Sequence, residues 1–268
     1  MIHAIGLFGR LYLTSIRAKM QYRAAFILLV CGTFFIGAME ALGIWALFDR
    51  FGNLGVWSLA HVAFLYGTVN IVFSSVDITA RGFDTFGAGL IQTGQFDRVL
   101  VRPTYVAILV ASRDVGLHQL GRLLQGLLVF AYALYALDID WTVGKVLLYV
   151  FAVIGMYVFF FGIQIIRATM CFWTIETLEL VNMFSHGGQE TAQYPMSIYN
   201  ESFTKFFTYV IPLACVAYFP IVAVLEVDEP LGSTMLFQYL SPLAAFVFFG
   251  CCLFFWFFGV KRYQSTGS

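Results

Sequence analysis

Six apolar runs, each about 20 residues long, constrain the fold more than any other feature of this sequence. They are residues 24–48, 54–76, 117–137, 143–166, 207–225 and 240–260. A helix rises about 1.5 Å per residue, so each run can cross the roughly 30 Å hydrocarbon core of a membrane. Charged residues make up only 11% of the chain, whereas a soluble domain is about a quarter charged. We therefore expect an all-α integral membrane protein, with six transmembrane helices in a single domain spanning 1–268.

The distribution of basic residues predicts which side of the membrane each end of these helices faces. An even number of spans leaves both termini on one side, together with the 77–116 and 167–206 connections. That side holds twelve basic residues, namely Arg10, Arg17, Lys19, Arg23, Arg81, Arg98, Arg102, Arg113, Arg167, Lys205, Lys261 and Arg262. The opposite side keeps Arg50 and Lys145. By the positive-inside rule, both termini are expected in the cytoplasm.

Residues 1–23 are basic and contain no acid, with apolar residues placed between the cations. This pattern is typical of an amphipathic helix lying on the anionic inner leaflet. A secretory signal is the rival interpretation. The following run, 24–48, is about 25 residues long and lacks a small-residue cleavage pattern, so we expect the segment to stay attached.

No catalytic or metal-binding motif stands out in the sequence. A phosphate-binding loop, HExxH and GxSxG are all missing, and no nucleic-acid-binding pattern is present. Four histidines lie in four different segments, at His3, His61, His118 and His186. Five cysteines lie in or beside apolar runs without paired spacing and are interpreted as packing residues: Cys31, Cys171, Cys215, Cys251 and Cys252. An enzyme embedded in the membrane is therefore the least favoured class, and no metal or cofactor is expected.

Glu40 is the most deeply placed charge within an apolar run. Leaving a carboxylate unpaired inside a membrane costs several kcal/mol, so such a residue is a candidate for a transport pathway. A structural hydrogen bond, or snorkelling to the outer interface, is the alternative. Asp77 and Arg81 lie four residues apart at the inner end of the second run, where they predict a helical ion pair.

Three further polar residues enter the third run at intervals of four. Asp114, His118 and Arg122 predict a ladder on one helical face, and Arg167 lies near the inner end of the fourth run. Together these residues could form an inner polar gate. Snorkelling to the membrane interface is the alternative.

The segment 94–103 interrupts the apolar sequence with three charged residues, Asp97, Arg98 and Arg102. Interpreted as a short helix closed by Pro103, it places Arg98 and Arg102 on one face and leaves Phe96 to pack on another. Such a helix could dock on a partner protein, or its arginines could contact lipid phosphates. The residues alone do not separate these two hypotheses.

This segment resembles the cytoplasmic segment of bacterial ABC exporter permeases of the type-two, six-span class. The resemblance extends to Tyr194-Pro195 with Ile198-Tyr199, and then to the prolines of Ile211-Pro212-Leu213 and Tyr218-Phe219-Pro220. It implies a coupling region at about 79–116 that contacts an ATPase subunit through Gln95, Phe96, Asp97, Arg98, Leu100, Arg102 and Pro103.

The same resemblance implies an assembly and a location. Two permease chains, identical or paired with a sister chain, would join two ATP-binding subunits in a bacterial cytoplasmic membrane. ATP and magnesium would then be bound by the partner subunits and not by this chain.

We therefore predict the permease subunit of an ATP-driven exporter. The alternative is a stand-alone ion-coupled carrier or channel, which would need charges inside the membrane along several spans. The 30 phenylalanines and 14 tyrosines suit a lipid-like, amphipathic, drug or peptide substrate, but contacts with membrane lipid explain them equally well.

Overall fold

The computed structural model describes residues 2–103, 105–174, 183–228 and 231–264. Within these ranges the chain is helical, and its one extended pairing is an isolated bridge between Leu54 and Trp57. In chain order the helices are α1 (Ile2–Lys19), α2 (Arg23–Phe51), α3 (Leu59–Asp84), α4 (Phe96–Leu100), α5 (Val106–Ala111), α6 (Leu120–Ala136), α7 (Val143–Thr174), α8 (Gly188–Ala192), α9 (Glu201–Lys205), α10 (Leu213–Ala217), α11 (Phe219–Leu225), α12 (Met235–Leu240) and α13 (Leu243–Arg262). Short π-helical turns lie at Gly87–Ile91, Met183–Gly187 and Phe206–Val210, and 3-10 turns lie at Leu117–Gln119 and Met196–Ile198.

The prediction of an all-α membrane protein is confirmed for the described residues. Four helices there are long and apolar enough to cross a membrane: Arg23–Phe51, Leu59–Ile91, Val143–Thr174 and Leu243–Arg262. A fifth candidate is a pair of helices bent by 79°. Helix α6 has 17 residues and follows a 3-10 turn. The combined length of the turn and the helix is roughly equal to the thickness of the hydrocarbon core.

The two ends of the bundle are defined by α3 and α7, which run parallel. Thr68 shares a hydrogen bond of 3.0 Å with Tyr149 in their first halves, and Asp84 pairs with Arg167 near their last turns. We call the end where α3 and α7 finish the basic end, and the end where they start the acidic end. Helices α2 and α6 run the opposite way.

Small residues let α6 approach both of its neighbours closely. A Cβ atom on Gly121 would lie 2.0 Å from the carbonyl oxygen of Val30 in α2. A Cβ on Gly67 of α3 would lie 2.8 Å from the backbone nitrogen of Phe130 in α6. Lipid is as apolar as leucine, so contacts of this kind, more than hydrophobic burial, hold helices together in a membrane.

Residues 183–198 follow a course that differs from the sequence-based prediction. The ring of His186 lies 5.7 Å from that of Phe73, and Gln189 donates to Asn70 at 3.2 Å. Further along, Ser197 accepts a hydrogen bond of 3.0 Å from the indole of Trp57. This segment therefore runs antiparallel to α3 toward the acidic end. The sequence-based prediction had placed residues 183–198 in a 167–206 connection at the basic end. Residues 175–182 of that connection lie outside the described residues.

The segment from α9 to α11 starts and ends at the acidic end. Thr204 donates to the carbonyl of Met196, next to the Trp57 contact, and Glu226 pairs with Lys145 at the start of α7 at 2.9 Å. Between them the chain bends by 79° around Ile211 and Pro212. A re-entrant hairpin fits these contacts, and a span over 207–225 does not.

Two sequence predictions are therefore wrong in detail. Residues 207–225 do not run from one end of the bundle to the other, and Lys205 lies with the acidic end and not with the basic one. Pro212 lacks a backbone donor and breaks the helix at the 79° bend, and the contacts of Thr204 and Glu226 show that the chain returns after it.

Candidate functional site

The segment after α3 turns sharply at Gly94 and then forms the single helical turn of α4. Gly94 has a φ of 63°, a left-handed conformation that glycine adopts without steric cost. Helix α4 ends at Leu100, and the backbone of Arg102 closes a further turn by donating to Val99. The predicted short helix is present, although Arg102 and Pro103 lie just beyond it.

Phe96 fixes this segment to the bundle. Its side chain is 0% exposed. Its ring packs edge-on against Phe86 at 5.1 Å and Tyr263 at 4.9 Å, and it also contacts Phe172. The sequence had included Phe96 among the residues that contact a partner. Its burial shows that in this chain it anchors the segment to the bundle.

The remaining residues of the segment form its outer surface. Val101 is 83% exposed, and Arg98, Leu100, Arg102 and Pro103 are also exposed. Asp97 is half-buried, and the side-chain oxygen of Gln95 accepts a hydrogen bond from Arg113. A rigid base therefore carries a surface that combines two cations with apolar side chains.

A second group of polar residues, the central cluster, lies midway along α3. It comprises Glu40, Tyr66, Asn70, Arg122, Gln189 and Glu190. Arg122 donates to Glu40 at 2.5 Å and to Asn70 at 2.7 Å, and its guanidinium lies 3.7 Å from the Glu190 carboxylate. The Tyr66 hydroxyl lies 3.3 Å from Glu40. One arginine thus faces two carboxylates contributed by different helices.

The central cluster is only partly covered by this chain. The side chain of Arg122 is 15% exposed, that of Glu40 is 30% exposed and that of Glu190 is 54% exposed. Because a carboxylate facing lipid hydrocarbon is costly, this face must meet water or other protein. Glu40 contacts Arg122 and Tyr66, so it lies against protein, and its role in a transport pathway stays a prediction.

A third group of charges lies closer to the basic end of α3. Asp77 is 3% exposed and accepts hydrogen bonds from Gln119 at 2.7 Å and Gln164 at 3.3 Å. Arg81 lies 3.9 Å from Asp77 but 2.7 Å from Asp84, so the predicted pair of Asp77 and Arg81 is the weaker contact. The sequence missed Gln119 and Gln164 as partners of Asp77 because they come from other helical segments, whereas Asp84 lies on α3 three residues after Arg81.

The predicted ladder of Asp114, His118 and Arg122 does not form. Helical structure starts at Leu117, so Asp114 lies in a preceding loop, where it pairs with Lys19 of α1 at 2.6 Å. Arg122 points to Glu40 instead. An i, i+4 relationship requires helix at all three positions, and the loop before Leu117 removes it.

Asn70, Gln164, Gln189 and Glu190 were not predicted as site residues. Asn70 and Gln164 could have been found, because each is a polar residue inside a predicted span. Gln189 and Glu190 could not, since the sequence placed them in a connection outside the membrane. Among the described residues, no group of histidine, cysteine and carboxylate side chains could hold a metal ion.

These features define a multi-pass helical membrane protein with polar residues along its interior and a rigid surface segment at one end. This combination is typical of the membrane component of a transporter. Residues 34–267 match the family model described as ABC-2 family transporter protein, and the chain belongs to that family. Its members are ABC permeases, which work in general with an ATP-binding partner. No curated protein and no solved structure matches the chain.

Proposed function

We propose that this chain is the permease subunit of an ATP-driven exporter and that α4 with its flanking residues, Gly94 to Pro103, transmits the ATPase cycle to it. The observation that supports this most directly is the combination of a buried Phe96 with exposed Arg98 and Arg102. Because aromatic contacts hold this segment at its base, a displacement of the segment can be transmitted to α7 and α13 without unfolding it. The exposed cations suit acidic groups on a nucleotide-binding subunit.

The partly exposed carboxylates of the central cluster support a second permease chain. Glu190 and Glu40 lie at mid-depth and keep part of their side chains exposed, and contact with lipid would be unfavourable there. A second copy or a sister chain facing this surface would enclose a polar pathway between the two chains. Two ATP-binding subunits would complete the assembly, with ATP and magnesium bound there.

The proposed topology has six crossings and cytoplasmic termini. The fifth crossing is moved from 207–225 to the segment that contains residues 183–198, and the following hairpin starts and ends at the acidic end. With Lys205 reassigned, eleven basic residues lie on the proposed cytoplasmic side and three, Arg50, Lys145 and Lys205, on the other. The positive-inside rule still gives the same orientation.

The proposed substrate is lipid-like, amphipathic, or a drug or peptide, moved outward from a bacterial inner membrane. The chain has 30 phenylalanines and 14 tyrosines, and a surface of this kind suits cargo with a large apolar part. Lipids and metabolites that accumulate in a deletion strain identify the substrate.

A stand-alone ion-coupled carrier is the second candidate, and the buried charges favour it more than the sequence did. Asp77, Arg122 and Glu190 join Glu40 inside the bundle. Most of these charges are paired, however, as expected of a scaffold. Transport by the purified chain without ATP would overturn the exporter assignment.

The double change Arg98→Glu, Arg102→Glu tests the coupling role. Truncating one partner of a buried charged contact costs roughly 2 to 5 kcal/mol, so the variant should lose the ATPase on co-purification and lose transport-linked ATP hydrolysis. The matched control is Lys261→Glu, Arg262→Glu, two exposed cations at the same end outside the segment. A compensating charge reversal on the ATPase should restore function. Normal assembly and hydrolysis in the first variant would remove the coupling role.

A further inference from the structure

A cavity of about 420 Å³ lies between α1 and the segment that contains α4. Its walls include three arginines and no carboxylate, and its polar lining residues are Thr14, Ser15, Gln95, Arg98, Arg102, Ser112 and Arg113. Among the residues that the structure describes, the ion pairs use other cations, and none involves these three arginines. Three exposed arginines around one cavity that has no carboxylate in its lining favour the binding of an anion.

The position of the cavity indicates what kind of anion. Helix α1 is fixed beside the basic end, because Ser15 donates to the carbonyl of Arg113 at 3.2 Å and Lys19 donates to that of Val115 at 2.5 Å. On either side of the cavity the chain exposes apolar side chains, with Leu13 54% exposed on α1 and Tyr105 65% exposed before α5. Cations beside exposed apolar and aromatic groups are typical of the boundary between lipid headgroups and hydrocarbon.

We propose that this cavity binds the phosphate group of an anionic phospholipid from the cytoplasmic leaflet. The guanidinium groups of Arg98, Arg102 and Arg113 supply paired donors that match phosphate oxygens, and the hydroxyls of Ser15 and Ser112 line the same space. The acyl chains lie along the exposed apolar groups beside the cavity, Leu13 of α1 and the Tyr105 ring. The bound lipid joins α1 to the proposed coupling segment.

This inference rests on the proposed function for its orientation, because only cytoplasmic termini place the cavity in the inner leaflet. It shares Arg98 and Arg102 with the coupling role and adds residues that the coupling role does not use. Arg113, Ser15 and Ser112 lie outside the segment 94–103, so changes there separate lipid binding from ATPase docking.

The test measures lipids retained by the purified full-length chain. The protein is equilibrated in detergent micelles that contain equal amounts of phosphatidylglycerol and phosphatidylcholine with the same acyl chains, and bound lipids are counted by native mass spectrometry. Each arginine near a lipid surface contributes about a fivefold change in binding, so Arg98→Gln, Arg113→Gln should lower the ratio of bound phosphatidylglycerol to bound phosphatidylcholine by roughly 30-fold. The single change Arg113→Gln should lower it about fivefold.

A matched control removes the same charge from the same end without touching the cavity. Arg17→Gln, Lys261→Gln changes two exposed cations, and its ratio should fall by less than about threefold. An equal fall of the lipid ratio in the cavity variant and in the control would mean that the basic end attracts anionic lipid only through its overall charge. That result would overturn the proposed site. Unchanged unfolding temperatures in phosphatidylcholine alone show that both proteins remain folded.

Two further arms exclude other occupants. Inorganic phosphate added at millimolar concentration should leave the lipid ratio unchanged, whereas full displacement of phosphatidylglycerol would assign the cavity to a free anion. The variant Arg113→Gln should still co-purify with the ATPase. Loss of the ATPase with a normal lipid ratio would assign the cavity to acidic protein groups. Failure of the lipid prediction with normal ATPase coupling would leave the proposed function standing.

Discussion

Arg122 holds the central cluster together, because its guanidinium contacts side chains from three other helices. Glu40 belongs to α2, Asn70 to α3 and Glu190 to α8. None of the three is close to Arg122 in the sequence. This single arginine therefore links three segments that are far apart along the chain. Its loss would leave two carboxylates near each other inside the bundle without a compensating charge.

The change Arg122→Gln is predicted to destabilise the protein by about 3 kcal/mol, because it removes one partner of a largely buried ion pair. Thermal unfolding in detergent, compared with the wild type, measures this. The control Arg50→Gln removes an exposed cation that lies over the ring of Phe51 and should stay within about 0.5 kcal/mol. The double change Glu40→Gln, Arg122→Gln should be less damaging than Arg122→Gln alone. Equal losses for Arg122→Gln and Arg50→Gln would show that the cluster contributes no stability.

At the scale of single residues, the sequence identified which side chains are unusual more reliably than it identified the residues that they contact. Glu40 and Arg122 were both recognised as unusual because charges inside apolar runs are costly. Their pairing was not predicted, since it depends on the rotation of α2 against α6. Phe96 was placed on the packing side of its segment, but its complete burial depends on Phe86, Phe172 and Tyr263, which no local pattern brings together.

At the scale of helices, α6 shows how a small residue sets the position of a charged one. Gly121 directly precedes Arg122 and allows α6 to touch the backbone of α2 at Val30. A larger residue there would push the two helices apart and move Arg122 away from Glu40. The packing of α2 against α6 and the ion pair of the central cluster therefore depend on the same close approach.

We predict that Gly121→Ala destabilises the protein by about 1 to 3 kcal/mol, since the added Cβ overlaps backbone atoms that cannot move aside. Gly43→Ala is the matched control, because that glycine lies in α2 with open space around it and alanine is favoured in helices. Urea or thermal unfolding in detergent compares the two. An unfolding midpoint for Gly121→Ala that matched Gly43→Ala would mean that α2 and α6 are not in close contact.

Helix positions were predictable where one apolar run forms one straight helix. The runs at 24–48, 143–166 and 240–260 correspond to α2, α7 and α13 with shifts at their ends. The run at 207–225 was misinterpreted because hydropathy measures how apolar a segment is. It does not measure whether the chain crosses the membrane or returns to the side where it entered. Pro212 was the local signal for a break, yet a kinked span and a re-entrant hairpin share that signal.

At the scale of the whole molecule, the structure separates two kinds of surface. The basic end carries the segment 94–103 and the arginine-lined cavity, whereas the acidic end carries the hairpin of α9 to α11 and short connections. Between them, the partly exposed carboxylates of the central cluster mark the face that needs a second chain or water. A substrate moving between the two ends along that face would pass Glu190 and Glu40, whose charges are balanced by a single arginine.

The orientation of this hairpin provides the sharpest test of the topology, because the sequence places Ser202 at the basic end of the bundle and the contacts of its neighbours place it at the acidic end. Ser202 is exposed beside Glu201 and Lys205, close to the Met196 contact at the acidic end. In a cysteine-free background, Ser202→Cys should react with a membrane-impermeant maleimide. The reagent is added to cells whose outer membrane has been removed and whose inner membrane is still sealed.

The matched control, Thr93→Cys, lies exposed at the basic end and should react only after the membrane is opened. A third probe at Ser233, in the connection before α12, should behave like Ser202. Labelling of Ser202→Cys only in opened membranes would restore the fifth span at 207–225. Labelling of Thr93→Cys in sealed cells would reverse the whole orientation, because the arginine-rich end would then face outward against the positive-inside rule.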